Sequence, residues 1–465
     1  MLFSTLPFFV FLIVVLALHY LSPRPLRKYI LLAASYYFYM SWNPKFIALL
    51  LSLTAIDYAA ALWIARTSGA RRKLFLIVGL AANLGFLGFF KYYNFLGDNL
   101  ALLLNRPSHA FAMAIILPLG ISFHTFQSMS YIVDVYRSEQ EPIRNPVDYA
   151  LFIAFFPQLV AGPIVRAREF FSDFYAWVAP KSEEILQGTL WVLLGLAKKM
   201  ALADQFAQIA DSYFSNVAAH PGAISAWRGV IAFALQIFFD FSGYTDMAIG
   251  MALLLGFHFP QNFRRPYLAF SITDFWHRWH MSLSRWLRDY LYISLGGNRK
   301  GTLKTYRNLM LTMLLGGLWH GASWNFVIWG AYHGGLLSVE RMAGRRFFEQ
   351  RPNLPLYLLR AMLTFALVCV GWVFFRAATV GDSRYIVGQM FSLVPVHSDI
   401  LFPRWLVYMV IFSLIFALIE ERWEFTERLA RAPAWVYATA VVVLLLAVEL
   451  IGVTDKQIPF VYFQF

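Results

Sequence analysis

Along most of this chain, long apolar runs alternate with short basic clusters. The runs have the length of membrane spans rather than of core helices. The first, residues 8–21, is followed by Arg24, Arg27 and Lys28. Runs over 29–42, 46–65 and 74–90 come next, the last two separated by Arg66, Arg71, Arg72 and Lys73. The run 111–136 leads to Arg137 and Arg144, and further spans are predicted over 185–203, 230–257, 308–319, 324–339, 357–376, 405–420 and 435–450. No basic segment precedes the first run and no small-residue cleavage site follows it, so it reads as a span and not as a signal peptide. Basic loops mark the cytoplasmic side. Both termini are therefore predicted outside, with twelve crossings, or ten if the hairpin around His320 is re-entrant.

Two stretches depart from this pattern. Residues 149–162 are too short to cross, contain Pro157 and have basic residues on both sides, which predicts a re-entrant or interfacial segment. Residues 267–295 carry charges throughout and read as an amphipathic interfacial helix. The segments 308–319 and 324–339 both end in basic flanks, so the turn His320-Gly321-Ala322-Ser323 points into or across the membrane.

Composition narrows the class. Of 465 residues, 59% are hydrophobic and 14% charged, against about 25% charged in soluble domains. The fold class is all-α, a polytopic membrane protein of about ten to twelve spans with re-entrant and interfacial helices, forming one domain over 1–465. Cys369 is the only cysteine, which excludes a disulfide scaffold and a cysteine-ligated zinc site. No internal repeat supports an inverted-repeat transporter.

The net charge of +13 reads as cytoplasmic loops facing anionic membrane lipid, with no nucleic-acid partner. Residues 261–307 hold nine basic residues against two acidic ones. Such a run serves topology, or it also meets a phosphorylated donor; Arg278, Arg285 and Arg288 are the candidates for the second role. On a continuous helix Arg278, Ser282, Arg285 and Asp289 would share one face.

Ionisable groups at membrane depth are costly and mark candidate sites. His320 stands first, set between Trp319 and Gly321 with Asn325 close by in sequence. The alternative is a packed histidine bonded to a carbonyl. Gly317 with Gly321, and Gly330 with Gly334, give small-xxx-small spacing that lets another backbone pack close. His280 lies in the run Trp276-His277-Arg278-Trp279-His280-Met281-Ser282, which also reads as a tryptophan-anchored interfacial helix. A zinc pair at His277 and His280 has no clear third ligand, and no metal is assigned. Asp240 and Asp246 lie within the span 230–257, where they orient a histidine or arginine or make helix–helix contacts. Pro118 and Gly120 loosen the helix before His124. No nucleophile elbow or P-loop occurs, so neither a serine hydrolase nor an ATP-driven pump has a motif behind it.

A histidine with a pKa near neutrality can take a proton from a hydroxyl that attacks a thioester, while Trp, Asn or Arg donors hold the oxyanion. Acyl transfer fits these groups. Proton-coupled transport and intramembrane hydrolysis fit them as well.

These same residues resemble the membrane-bound O-acyltransferase family, and within it the bacterial alginate O-acetylase branch. The matching stretches are 118–137, 156–166, 240–256, 262–301, 316–324 and the terminal Pro459-Phe460-Val461-Tyr462-Phe463-Gln464-Phe465. The resemblance implies a helical fold around a central tunnel, with His320 as catalytic histidine and His280 as the second family histidine. Trp319 and Asn325 would shape the site and Asp246 would orient or polarise it. It also implies no bound cofactor, acetyl-CoA as the cytoplasmic acyl donor, and a polysaccharide acceptor reached through a separate periplasmic or extracellular acetyltransferase partner. The setting would be a bacterial inner membrane. Related branches acetylate peptidoglycan or attach D-alanine to teichoic acid. The rival of another class is a transporter or flippase that moves the donor or a glycan without chemistry.

Overall fold

The computed structural model describes residues 1–465 apart from 177, 351, 394–399, 401, 424, 455 and 465; Phe465, the last residue of the terminal motif, thus lies outside the described residues. Every regular element among the described residues is helical. Six helices are long and apolar enough to cross a membrane: Phe46–Arg66, Gly69–Leu103, Ser182–Phe214, Ala223–Leu254, Leu354–Arg376 and Ala434–Ile451. Leu6–Leu21 and Arg404–Ile419 are apolar but shorter. The protein is a multi-pass membrane protein. Ala223–Leu254 is 72% buried over its apolar window whereas Ala434–Ile451 is 0% buried. The first is therefore a core helix, and the second lies at the periphery with one half-buried face and its remaining apolar side chains turned outward.

The chain packs as two compact units, Met1–Gly188 with Ala248–Pro260, and Thr189–Met247 with Gln261–Phe465. In the first unit, Phe46–Arg66 packs on Gly69–Leu87 and on Ile121–Tyr136. Asn83 donates to Asp57 at 2.7 Å inside this packing, so the buried carboxylate is met by an amide. The predicted span 111–136 is corrected. Its helix is Ile121–Tyr136, because Gly120 takes a left-handed conformation (φ 70°) just after Pro118. Proline and glycine here start a helix rather than loosen one. The short stretch at 149–162 does break, into Pro146–Ala154 and Phe156–Leu159.

In the second unit, Thr302–His320 and Trp324–Glu349 form a helical hairpin whose turn falls at 321–323, where the sequence placed it. Gly317 and Gly330 bring the two backbones together. A β-carbon on Gly317 would strike the Phe326 carbonyl, and one on Gly330 the Met313 carbonyl. The contacting pair is thus one glycine from each helix.

The predicted continuous helix over 267–295 is also corrected. It is broken into Ile272–Arg278, Met281–Trp286 and a π-helical turn Leu287–Tyr292. His280 sits at the break with φ 41° and ψ 56°, left-handed values that a helix cannot pass through. Arg278 and Arg285 therefore belong to different helices, and the shared face drawn from an unbroken helix does not exist.

Candidate active site

His320 is the last residue of Thr302–His320, held there by the close hairpin. It is buried, with ring centroids of Trp319 and Trp329 at 5.0 Å, Phe375 at 5.2 Å and Tyr462 at 5.7 Å. His280 is fully buried, with Phe241 at 4.7 Å and Trp319 at 6.2 Å. Trp319 thus touches both histidines, and Phe241 packs on both His280 and Tyr462. The structure brings His320, His280 and Trp319 into one aromatic cluster within the second unit.

The break that exposes His280 to this cluster is built by residues 262–264. The Asn262 carbonyl accepts the Met281 N–H at 2.9 Å, and the Arg264 N–H donates to the Arg278 carbonyl at 2.9 Å. The Asn262 side-chain oxygen accepts the Ser282 backbone N–H at 3.1 Å and the Ser282 hydroxyl at 2.9 Å. A backbone N–H can only donate, so this amide atom is the oxygen. His280 Nδ1 faces the same oxygen at 3.1 Å and must therefore carry the proton. The lone pair of the neutral ring then lies on Nε2. Burial pushes the His280 pKa down and keeps the ring neutral. Asn262 went unnoticed in the sequence as a site residue, since nothing in a Pro-Gln-Asn-Phe loop marks one asparagine as a partner of a histidine 18 residues on.

The remaining candidates take different places. Asn325 donates to the Ala377 carbonyl at 2.8 Å and accepts the Ser383 hydroxyl at 3.2 Å, tying the start of its helix to neighbouring elements. Asp246 is ion-paired with Lys198. Arg278 is paired with Asp274 at 2.9 Å, one helical turn away. Arg285 and Arg288 instead line a cavity of about 390 Å³, together with His277 and Arg341. Its apolar wall includes Trp276, Met281, Leu287 and Met313. Trp276 packs on Trp329 at 5.7 Å, and Trp329 packs on His320, so side chains of the cavity wall lead to the histidine cluster. Tyr462 is a further member of the cluster. Its motif was seen in the sequence, but its contact with His320 was not foreseeable from a position so far along the chain.

A buried imidazole pair, a lone pair fixed on one nitrogen, and a cavity with apolar wall and a cationic excess, its one described carboxylate Glu340 being taken up by Ile272 and Thr273, suit transfer of an acyl group from an anionic carrier. The sequence profile of the membrane-bound O-acyltransferase family matches residues 45–380. The chain belongs to this family, and it is an O-acyltransferase. It is 46% identical over 399 residues to the probable alginate O-acetylase AlgI of Pseudomonas putida, covering 84% of this chain and 80% of that protein. It is 41% identical over 397 residues to the peptidoglycan O-acetyltransferase of Helicobacter pylori, covering 78% and 73%. The teichoic acid D-alanyltransferase of Bacillus subtilis is 31% identical over 280 residues, 55% of this chain and 68% of that one.

Proposed function

We propose that this enzyme takes an acetyl group from acetyl-CoA on the cytoplasmic side and passes it across the inner membrane for O-acetylation of an exopolysaccharide, alginate or a similar glycan. The observation that carries the reading is the Trp319 bridge between His280 and His320. The choice of acceptor rests on the likeness to the probable alginate O-acetylases, whose identity to this chain exceeds that of the peptidoglycan enzyme.

In this reading His320 accepts the proton of the attacking hydroxyl. The hydroxyl oxygen bonds to the thioester carbonyl carbon, the C–S bond breaks, and the sulfur leaves with the proton. His280 is its partner in the tunnel, Trp319 and Asn325 shape the site, and Asp246 acts from the neighbouring helix through its pair with Lys198. Arg285 and Arg288 meet the donor's phosphates where they line the cavity. A separate periplasmic acetyltransferase receives the group and delivers it to the polysaccharide. Both termini lie outside, as the basic loops require.

The test is purified protein in liposomes with acetyl-labelled acetyl-CoA, comparing the wild type with His320→Ala, with and without the candidate partner. Thioester loss that needs His320 supports the reading. Equal transfer by the variant would sink the catalytic role of His320, and an intact donor in the presence of the partner would sink acetyl-CoA as donor.

A further inference from the structure

A second cavity, of about 570 Å³, lies wholly in the first unit, where the chain turns from Leu6–Leu21 into Arg24–Met40. Arg24, Arg27 and Lys28 line it, with Asp148 as the only carboxylate among its described lining residues. Three cations against one anion leave a net charge of +2. The charges are held in place. Arg27 Nε donates to the Ser22 carbonyl at 3.1 Å, and Lys28 Nζ donates to Asp148 at 2.8 Å. Asp148 is itself buried beneath Lys28. Tyr29, Phe174, Tyr175 and Phe257 supply aromatic wall and Leu31 an aliphatic one, and Tyr29 and Tyr175 are exposed.

Loops that only fix topology need cations facing water. They need no concave space, no buried counter-carboxylate and no aromatic wall. The combination matches an amphiphile with an anionic phosphate: the charge enters among Arg24, Arg27 and Lys28, and apolar chains lie along Tyr29, Phe174 and Tyr175. The place also fits, since these residues end an apolar helix and begin the next. We propose that this cavity binds the phosphate of an anionic phospholipid headgroup, at a site separate from the histidine cluster and independent of the acceptor assignment.

The experiment is binding of short-chain phosphatidylglycerol to the purified full chain in detergent, against phosphatidylcholine of the same chain length and against inorganic phosphate. Native mass spectrometry and thermal unfolding give the readouts. The wild type should prefer phosphatidylglycerol by about tenfold or more, and Arg24→Gln with Arg27→Gln should erase that preference. Because loss of two cations can also disturb insertion, Asp148→Asn provides the opposite arm. It raises the net charge of the cavity and should tighten phosphatidylglycerol binding severalfold. Unchanged preference in both variants would overturn the site. If inorganic phosphate at millimolar concentration stabilises the wild type as much as the lipid and displaces it, the phosphate site stands and the lipid assignment falls.

Discussion

Asp240 accepts the backbone N–H of Val461 at 2.6 Å through one oxygen and meets the Lys199 ammonium at 2.9 Å through the other. A core helix thereby holds the chain's terminal segment by its backbone. Phe460 packs on Tyr244 and Tyr462 packs on Phe241, which sets the Tyr462 ring beside His320. Lys199 also pairs with Asp204 at 2.7 Å, so one buried cation stands between two carboxylates. Asp240 thus serves the tail and a lysine, not a histidine or an arginine.

This arrangement separates three substitutions. Asp240→Asn keeps an acceptor for Val461 but turns its NH2 toward the Lys199 ammonium, which stays balanced by Asp204, so we expect a modest loss of stability with the tail still held and transfer retained. Asp240→Leu leaves the Val461 N–H without an acceptor, a loss of about 1–3 kcal/mol, and frees the tail. We expect the segment around Val461 to become sensitive to limited proteolysis and transfer to fall. Lys199→Met buries two carboxylates without a cation and should cost about 3–5 kcal/mol. Thermal unfolding in detergent checks the order; a Lys199→Met protein as stable as Asp240→Asn contradicts it.

Asn262 fixes which nitrogen of His280 is protonated. Asn262→Ala removes one acceptor from three donors, His280 Nδ1, the Ser282 N–H and the Ser282 hydroxyl. The expected penalty of about 1–3 kcal/mol corresponds to roughly 5- to 150-fold in rate if it falls on the transition state. We expect kcat to drop with little change in the donor KM. A raised KM at constant kcat would place Asn262 in donor binding instead.

The sequence shows most of the helical segments, the hairpin turn beside His320 and the adjacency of Trp319 to His320, because hydrophobic runs and local motifs are contiguous; the contact of Trp319 with His280, 39 residues away, comes only from packing. The break at His280 is not legible, since a left-handed residue that is not glycine leaves no mark on periodicity. The face drawn through Arg278, Ser282, Arg285 and Asp289 failed for that reason. The partners of Asp246 and Asn325 were not legible either. Lys198 comes from the middle of Ser182–Phe214 and Ala377 from the end of Leu354–Arg376, and only packing decides which buried polar groups meet. A similar limit hid the tail contact of Tyr462.

The hairpin that carries His320 depends on two glycines facing each other. Gly317→Ala puts a β-carbon against the Phe326 carbonyl and within 3.2 Å of Gly330 Cα. Neither is the far end of a flexible side chain, so the helices must separate, at a cost of about 1–3 kcal/mol. We expect a lowered unfolding temperature and a loss of transfer larger than the loss of folded protein, because His320 lies three residues on. Gly335→Ala, on the same helix as Gly330 but with open space at the β-carbon, is the control and should behave as wild type.

The three arginines that are candidates for donor binding, Arg278, Arg285 and Arg288, are expected to differ. Arg285 and Arg288 line the cavity, Arg288 while also paired with Asp289 at 2.6 Å, whereas Arg278 is held by Asp274 and is not among the cavity's described lining residues. Neutralising Arg285 and Arg288 to Gln should raise the donor KM by about tenfold, with little change in kcat, since each lost charge-assisted bond to a phosphate is worth about 1.5–3 kcal/mol before solvent screening. The loss should shrink at high salt, where exposed charges are screened within a few ångströms. Arg278→Gln should leave the donor KM within about twofold and act, if at all, on stability, because a partly exposed i,i+4 pair contributes about 0.5 kcal/mol. Donor titrations of the single and double variants at two salt concentrations provide the measurement. Equal KM effects from all three would mean that the break at His280 does not separate their roles.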